Sequence, residues 1–225
     1  MISTPNITPD LATGIGGWSS ADFIRAMRWG IAPDGTHYVP AFPFPYYARL
    51  TDGDLADLKL FLDSLPPVSR PVSAPGSLAL WARAKGAIGT AVADISASPI
   101  ALSSQAGPVA RGAYLVATVG RCGDCHTPLT WLGAPDADRF LAGRPGGFEG
   151  AKVPNITPDP ESGIGKWNAD DILFLLKDGG KPDGDYVGDG MVEIVRNTAR
   201  LSDDDRQAIA AYLKTVPAKS LENDR

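Results

Sequence analysis

Apolar positions in this chain fall into short helical stretches, each fenced by capping and breaking residues. Leu55, Leu58, Leu62 and Leu65 recur at helical spacing on one face behind Thr51, a natural N-cap. Ser19 or Ser20 opens an earlier helix that ends near Trp29-Gly30. A third helix is predicted over about 109–119, running into Gly120. Asn168 caps a fourth that reaches about Asp178 and stops at Gly179-Gly180. Ser202-Asp203-Asp204-Asp205 resembles a capping box with Asp in the Glu/Gln place. The helix behind it runs to about Thr215, where Val216-Pro217 ends it. Residues 66–107 break the pattern, being rich in Pro, Ser, Ala and Gly, and read as a linker that wraps one domain. Leu78 to about Val92 has helical character there, interrupted by Arg83 and Lys85. No stretch approaches the roughly 20 apolar residues of a membrane span.

The pattern repeats. Pro5-Asn6-Ile7-Thr8-Pro9-Asp10 recurs as Pro154-Asn155-Ile156-Thr157-Pro158-Asp159, an offset of 149 residues. Gly14-Ile15-Gly16 and Trp18 recur as Gly163-Ile164-Gly165 and Trp167, and Pro33-Asp34-Gly35 as Pro182-Asp183-Gly184. After a two-residue difference, Leu50-Thr51-Asp52 matches Leu201-Ser202-Asp203. An identical hexapeptide with matching Gly, Trp and Pro positions implies two homologous domains. The second copy has the helix at 109–119 upstream of it; the first has no equivalent in this chain. The face bearing Leu55, Leu58 and Leu62 is therefore expected to lack the helix that should cover it. Exposure costs about 1.5–3 kcal/mol per large apolar side chain.

Composition changes this picture little. With 225 residues, 44% hydrophobic and 21% charged, the chain has room for one or two cores. Gly (25) and Pro (20) are both high, as suits short helices joined by loops. The net charge of −5 gives no basic footprint for nucleic acid. Met1-Ile2-Ser3-Thr4-Pro5 has neither a basic nor an apolar leader region, so no signal peptide is read there.

The chemistry is concentrated in one pentapeptide. Both cysteines of the chain and one of its two histidines lie in Cys122-Gly123-Asp124-Cys125-His126. Cys-x-x-Cys-His is the spacing of covalent haem attachment. Two thiols three positions apart on a helical turn can each add to a porphyrin vinyl group, and the adjacent imidazole then faces the iron. Rival readings are a zinc site, a redox dithiol and a plain disulfide. Zinc needs four ligands, and only His37 remains elsewhere. A thioredoxin-like pair needs a βαβ context that residue 122 lacks. A disulfide leaves His126 without a role.

An electron-transfer haem takes a sixth ligand, commonly methionine. Of the three methionines, Met1 is the initiator and Met27 aligns with Leu176 inside a helix. Met191 is read as sitting in a glycine-rich loop (Gly184-Asp185-Tyr186-Val187-Gly188-Asp189-Gly190) between two helices and is the candidate distal ligand. The first copy has Phe42 opposite it, within Pro40-Ala41-Phe42-Pro43, and phenylalanine cannot ligate iron. His37 aligns with Tyr186, as a loop histidine or a contact to a haem edge. Trp167 reads equally as pocket lining or core. The Asn155-Ile156-Thr157 sequon is discounted because Pro158 follows and the repeat explains it.

Arg111-Gly112-Ala113-Tyr114-Leu115 leading to Cys122–His126-Thr127-Pro128, then Pro154–Asp159 and Gly163-Ile164-Gly165-Lys166-Trp167, resembles the multihaem cytochrome c subunits of membrane-bound quinoprotein and flavoprotein dehydrogenases. The resemblance covers about residues 5–65 and 108–217. It implies class I cytochrome c domains in tandem. It also implies electron flow from oxidation of an alcohol, aldehyde or sugar acid toward a quinone or terminal oxidase. The partners implied are a dehydrogenase catalytic subunit and that acceptor. The place implied is periplasmic, or the outer face of the cytoplasmic membrane, with membrane association through partners. Cys122 and Cys125 become thioether anchors of haem c, and His126 and Met191 its axial ligands. Gly112 would allow close crossing with the helix that carries Tyr212 and Leu213.

The expected fold is therefore all-α, with two tandem cytochrome c-type domains. Residues 1–65 form an incomplete first domain lacking its N-terminal helix and haem motif, 66–107 a linker, and 108–219 a complete domain. A signal peptide is expected to have been lost with a truncated start. One covalent haem c per chain, held by Cys122, Cys125, His126 and Met191, would serve outer-sphere electron transfer rather than catalysis. The alternatives are a dihaem enzyme acting on a small sulfur substrate and a non-haem docking remnant.

Overall fold

A computed structural model describes residues 4–38, 42, 44–72, 107–131, 135–148, 150–188 and 190–220. The helix expected over Leu78–Val92, and nearly all of the 66–107 linker, lie outside the described residues. The chain divides into two compact units, Met1–Pro99 and Ile100–Arg225.

In the first unit, α1 (Ser20–Trp29) starts at Ser19, whose hydroxyl accepts from the Asp22 N–H while the Asp22 carboxylate accepts from the Ser19 N–H. Gly30 ends it at φ 64°, where a Cβ would stand 2.6 Å from the Phe44 ring. A short helix α2 (Phe44–Tyr47) precedes α3 (Asp52–Asp63), which is capped by Thr51. Ile15, Phe23, Met27 and Leu55 form the core, with Trp18, Ile24, Phe42, Tyr47, Leu50, Leu58 and Leu62 packed around it.

That arrangement corrects the expectation for the Leu55 face. Leu55 is fully buried against α1, and Leu58 and Leu62 are partly buried beside it. The apolar surface of α3 that stays in solvent is Leu60 and Phe61, at 67% and 60% exposure. Helical periodicity gives a stripe but not its neighbour, and here α1 already occupies the leucine stripe.

In the second unit, α4 (Pro108–Tyr114) begins with proline in its first turn and continues as a π-helical turn over Leu115–Val119, closed by Gly120 N–H to Leu115 O at 2.7 Å. The motif forms its own helix, α5 (Cys122–His126). After a 3₁₀ turn (Ala137–Arg139) come two antiparallel strands, β1 (Arg144–Phe148) and β2 (Ala151–Val153), with Arg144 paired to Val153. This hairpin departs from the all-α expectation. A strand reading Arg-Pro-Gly-Gly-Phe carries no apolar alternation, so no sequence signal announced it.

Helix α6 (Ala169–Asp178) has Asn168 and Asp171 as a full capping box, and Gly179 in the left-handed region at φ 79° ends it. Helices α7 (Gly190–Thr198) and α8 (Asp203–Leu213) follow. Ser202 caps α8, but the Asp205 carboxylate goes to Arg111 on α4, at 2.7 and 3.1 Å. Helix α8 packs on both α4 and α6. Gly112 makes the α4 crossing possible, since a Cβ there would lie 1.9 Å from the Ala208 carbonyl oxygen and 2.7 Å from Tyr212 Cβ. Leu115, Val116, Leu141, Ile164, Ile172, Leu176, Ile209, Ala210, Leu213 and Val216 form the core beneath the motif.

Candidate haem-attachment site

Three of the four expected site residues stand on one short element. Cys122, Cys125 and His126 lie on α5, entered through Arg121 in the left-handed region at φ 50°. Arg121 offsets that backbone strain locally by pairing with Asp124, to which its Nε donates at 2.7 Å. The two thiols are not joined by a disulfide. Burial pushes the Cys122 thiol up to about 11, so it is held protonated in an apolar setting shared with Tyr212. Gly123 lets the Phe140 ring lie close to the turn, since a Cβ there would stand 2.6 Å from it and the ring would have to shift.

His126 is oriented from its ring. Its Nδ1 lies 2.8 Å from the Pro154 carbonyl oxygen. A carbonyl can only accept, so Nδ1 carries the proton and Nε2 keeps its lone pair. Burial depresses the His126 pKa, and the Pro154 bond opposes that only in part, so the neutral imidazole prevails. A neutral ring with its tautomer fixed by a backbone carbonyl is a prepared metal ligand. Two unpaired-by-disulfide thiols on the same turn, and a depressed histidine, fit a covalently bound haem. Among the described residues, no group of three or more His, Cys, Asp or Glu side chains is arranged to hold a metal ion, which is what a zinc site would require.

Met191 stands on a different element. The glycine-rich run gives way to α7 at Gly190, so Met191 occupies the first turn of a helix rather than a loop, half-buried, with its N–H donating to Gly188 O at 3.2 Å. Trp167 is half-buried and packs on the core beneath the motif. Phe42 packs between Tyr38 and Tyr47, with ring centroids 5.5 and 5.6 Å away, so an aromatic cluster fills the place that aligns with Met191. The sequon asparagine, Asn155, is 2% exposed and donates to Ser162 Oγ and Lys219 O, which suits a folding role.

Sequence reasoning missed what surrounds the motif. Gly143 N–H donates to His126 O at 2.7 Å. Arg144 donates to Asp124 O at 2.9 Å and Thr127 O at 3.3 Å. Leu141, fully buried at φ 64°, is held by Thr127 Oγ1 and by Ile156 N–H. All are long-range contacts that no local pattern encodes.

Residues 109–217 match the cytochrome c family. The chain is 45% identical to a diheme cytochrome c-type protein of Cereibacter sphaeroides, over 95% of this chain and 71% of that protein. It is 35% identical to the cytochrome c subunit of an alcohol dehydrogenase (quinone) of Gluconobacter oxydans, over 96% of this chain and 47% of that protein. It is 36% identical to the gluconate 2-dehydrogenase cytochrome c subunit of Pantoea cypripedii, over 97% of this chain and 52% of that protein. The chain thus spans about half the length of the dehydrogenase subunits it matches. The chain belongs to the cytochrome c family and is a c-type cytochrome of electron transfer.

Proposed function

We propose that this chain accepts electrons from the catalytic subunit of a dehydrogenase that oxidises an alcohol, aldehyde or sugar acid, and passes them to a quinone or a terminal oxidase. Its similarity to the cytochrome subunits of alcohol, gluconate and fructose dehydrogenases supports a dehydrogenase partner. Such traffic belongs in the periplasm or at the outer face of the cytoplasmic membrane. No helix among the described residues is long and apolar enough to cross a membrane.

The observation that carries the proposal is the α5 turn, with its two thiols and a histidine tautomer fixed by Pro154 O. Cys122 and Cys125 would anchor one haem c, and His126 Nε2 and Met191 would hold its iron. The haem would supply one-electron transfer without bond chemistry. The protein's part is to fix the imidazole, exclude water with the Leu115–Val216 core, and keep the local dielectric low.

The domain assignment is part of the same proposal: an incomplete cytochrome c-like domain over 1–65, a linker over 66–107 and a complete domain over 108–219. Its support is on the surface of α3. Asp54 and Phe61 align with Asp205 and Tyr212, which on α8 receive Arg111 and Gly112 of α4. The aligned face of α3 leaves Phe61 exposed.

The test is secretion of the chain into the periplasm of a host that matures c-type cytochromes. Haem staining after denaturing electrophoresis should be positive and be lost in Cys122→Ala/Cys125→Ala. Met191→Ala should lower the midpoint potential and admit exogenous ligands. An unstained wild type refutes the haem assignment, and an unaltered Met191→Ala potential and spectrum refutes the distal ligand.

A further inference from the structure

We propose that Arg144 is a positioning residue for the proximal ligand, acting through the β1–β2 hairpin as a bracket around the His126 turn; this rests on the haem reading above. A five-residue helix leaves its C-terminal carbonyls without intrahelical partners. In α5 those carbonyls are met from the hairpin side. Arg144 Nη2 donates to Asp124 O at 2.9 Å, Arg144 Nε donates to Thr127 O at 3.3 Å, and the neighbouring Gly143 N–H donates to His126 O at 2.7 Å. The guanidinium meets the two carbonyls with two different nitrogens of one rigid plane, a geometry that the single nitrogen of an ammonium does not reproduce. The far side of the guanidinium lies over the Phe148 ring, 5.3 Å from its centroid, so the side chain is held from both ends of β1.

The other arm of the bracket is β2. Arg144 pairs with Val153 across the strands, and Val153 is followed directly by Pro154, whose carbonyl fixes His126 Nδ1. One rigid element therefore grips His126 twice. Arg144 and Gly143 hold its backbone, and Pro154 holds its ring. The imidazole plane is set by the distance between these grips, and that distance is set by the strand pairing. The guanidinium also places a permanent positive charge beside the proximal turn, which favours the reduced state of any iron bound there.

The experiment uses holo-protein of the full chain, with Arg144→Lys and Arg144→Met. Ferric-state NMR shifts of the haem methyl groups report the imidazole plane, and redox titration reports the charge. Lysine keeps the charge but replaces the planar two-nitrogen fork with a single nitrogen, so the methyl shifts should move while the potential stays near wild type. Methionine loses both, so the shifts should move further and the potential should fall. Methyl shifts unchanged from wild type in both variants overturn the proposal. If Arg144→Met yields no holo-protein, unchanged shifts in Arg144→Lys alone overturn it. A wild-type chain without covalent haem overturns instead the reading on which the proposal rests.

Discussion

Replacing Gly112 by alanine should destabilise the second unit, although alanine is the better helix former. On an open helix the change would stabilise by about 1 kcal/mol. At Gly112 the added Cβ meets backbone: Ala208 O at 1.9 Å, Ala208 C at 2.6 Å and Tyr212 Cβ at 2.7 Å. None of these can rotate away, so α4 and α8 must separate by about 1 Å along a crossing that should be close-packed. Overpacking of this kind costs about 1–3 kcal/mol, and backbone contact puts Gly112 at the upper end. Net of the propensity gain, the loss is about 2 kcal/mol, or a fall of roughly 10 °C in the melting temperature of a domain this size. Thermal unfolding of the holo-protein followed by circular dichroism measures it. Gly53→Ala on α3 is the control, because the nearest atom to its Cβ is Thr51 Oγ1 at 3.8 Å, and it should hold or raise the melting temperature of the first unit. A Gly112→Ala protein as stable as wild type, or more so, would show that the α4–α8 crossing is looser than described.

Asn155→Ala should cost about 2 kcal/mol in urea unfolding, because it strands the buried Thr157 N–H and removes one of the two donors to Lys219 O. Wild-type chain made in a glycosylating host should show no mass increment at Asn155, which is only 2% exposed. The Arg111–Asp205 pair should give a small, pH-dependent increment. Arg111 holds the Asp205 carboxyl below its usual range, so the stabilisation is present above the unfolded carboxyl's pKa and is lost as pH falls through the folded one. The stability gap between wild type and Arg111→Gln should be about 0.5 kcal/mol near neutrality, since both partners are partly solvated. It should close in acid below about pH 4, and a gap that persists there would assign the effect to packing of the arginine stem.

The parts of the fold legible in the sequence were those set by neighbours along the chain. Ser19, Thr51, Asn168 and Ser202 each accept a backbone N–H three residues on, and Gly30 and Gly179 each take the left-handed conformation that ends a helix. The α5 pentapeptide was legible for the same reason, its function being carried by spacing. What was hidden depends on contacts across the chain. The π-helical turn over Leu115–Val119 looks like ordinary helix in sequence, since one extra residue per turn leaves the apolar pattern intact. The helix under Met191 was masked by the glycines before it, and it draws its burial from Val195 rather than from propensity. Arg144 and Leu141 act through bonds to residues 14 to 20 positions away, with no periodic trace.

The strongest sequence signal, the duplicated hexapeptide, closes each unit, and in the second unit its first residue, Pro154, also holds the His126 ring. In the first unit Asn6 Nδ2 donates to Val68 O at 2.8 Å, and the Val68 N–H donates to Thr8 Oγ1 at 3.1 Å. In the second, Asn155 Nδ2 donates to Lys219 O at 2.5 Å, and the Lys219 N–H donates to Thr157 Oγ1 at 3.1 Å. The Ile15 and Ile164 N–H groups return to the Thr8 and Thr157 carbonyls, each at 2.9 Å. Each hexapeptide thus stitches the segment that follows α3 or α8 back to the loop before α1 or α6. The copies differ at many aligned positions, and one of these bears on the proposed distal ligand: Phe42 stands where the second copy has Met191.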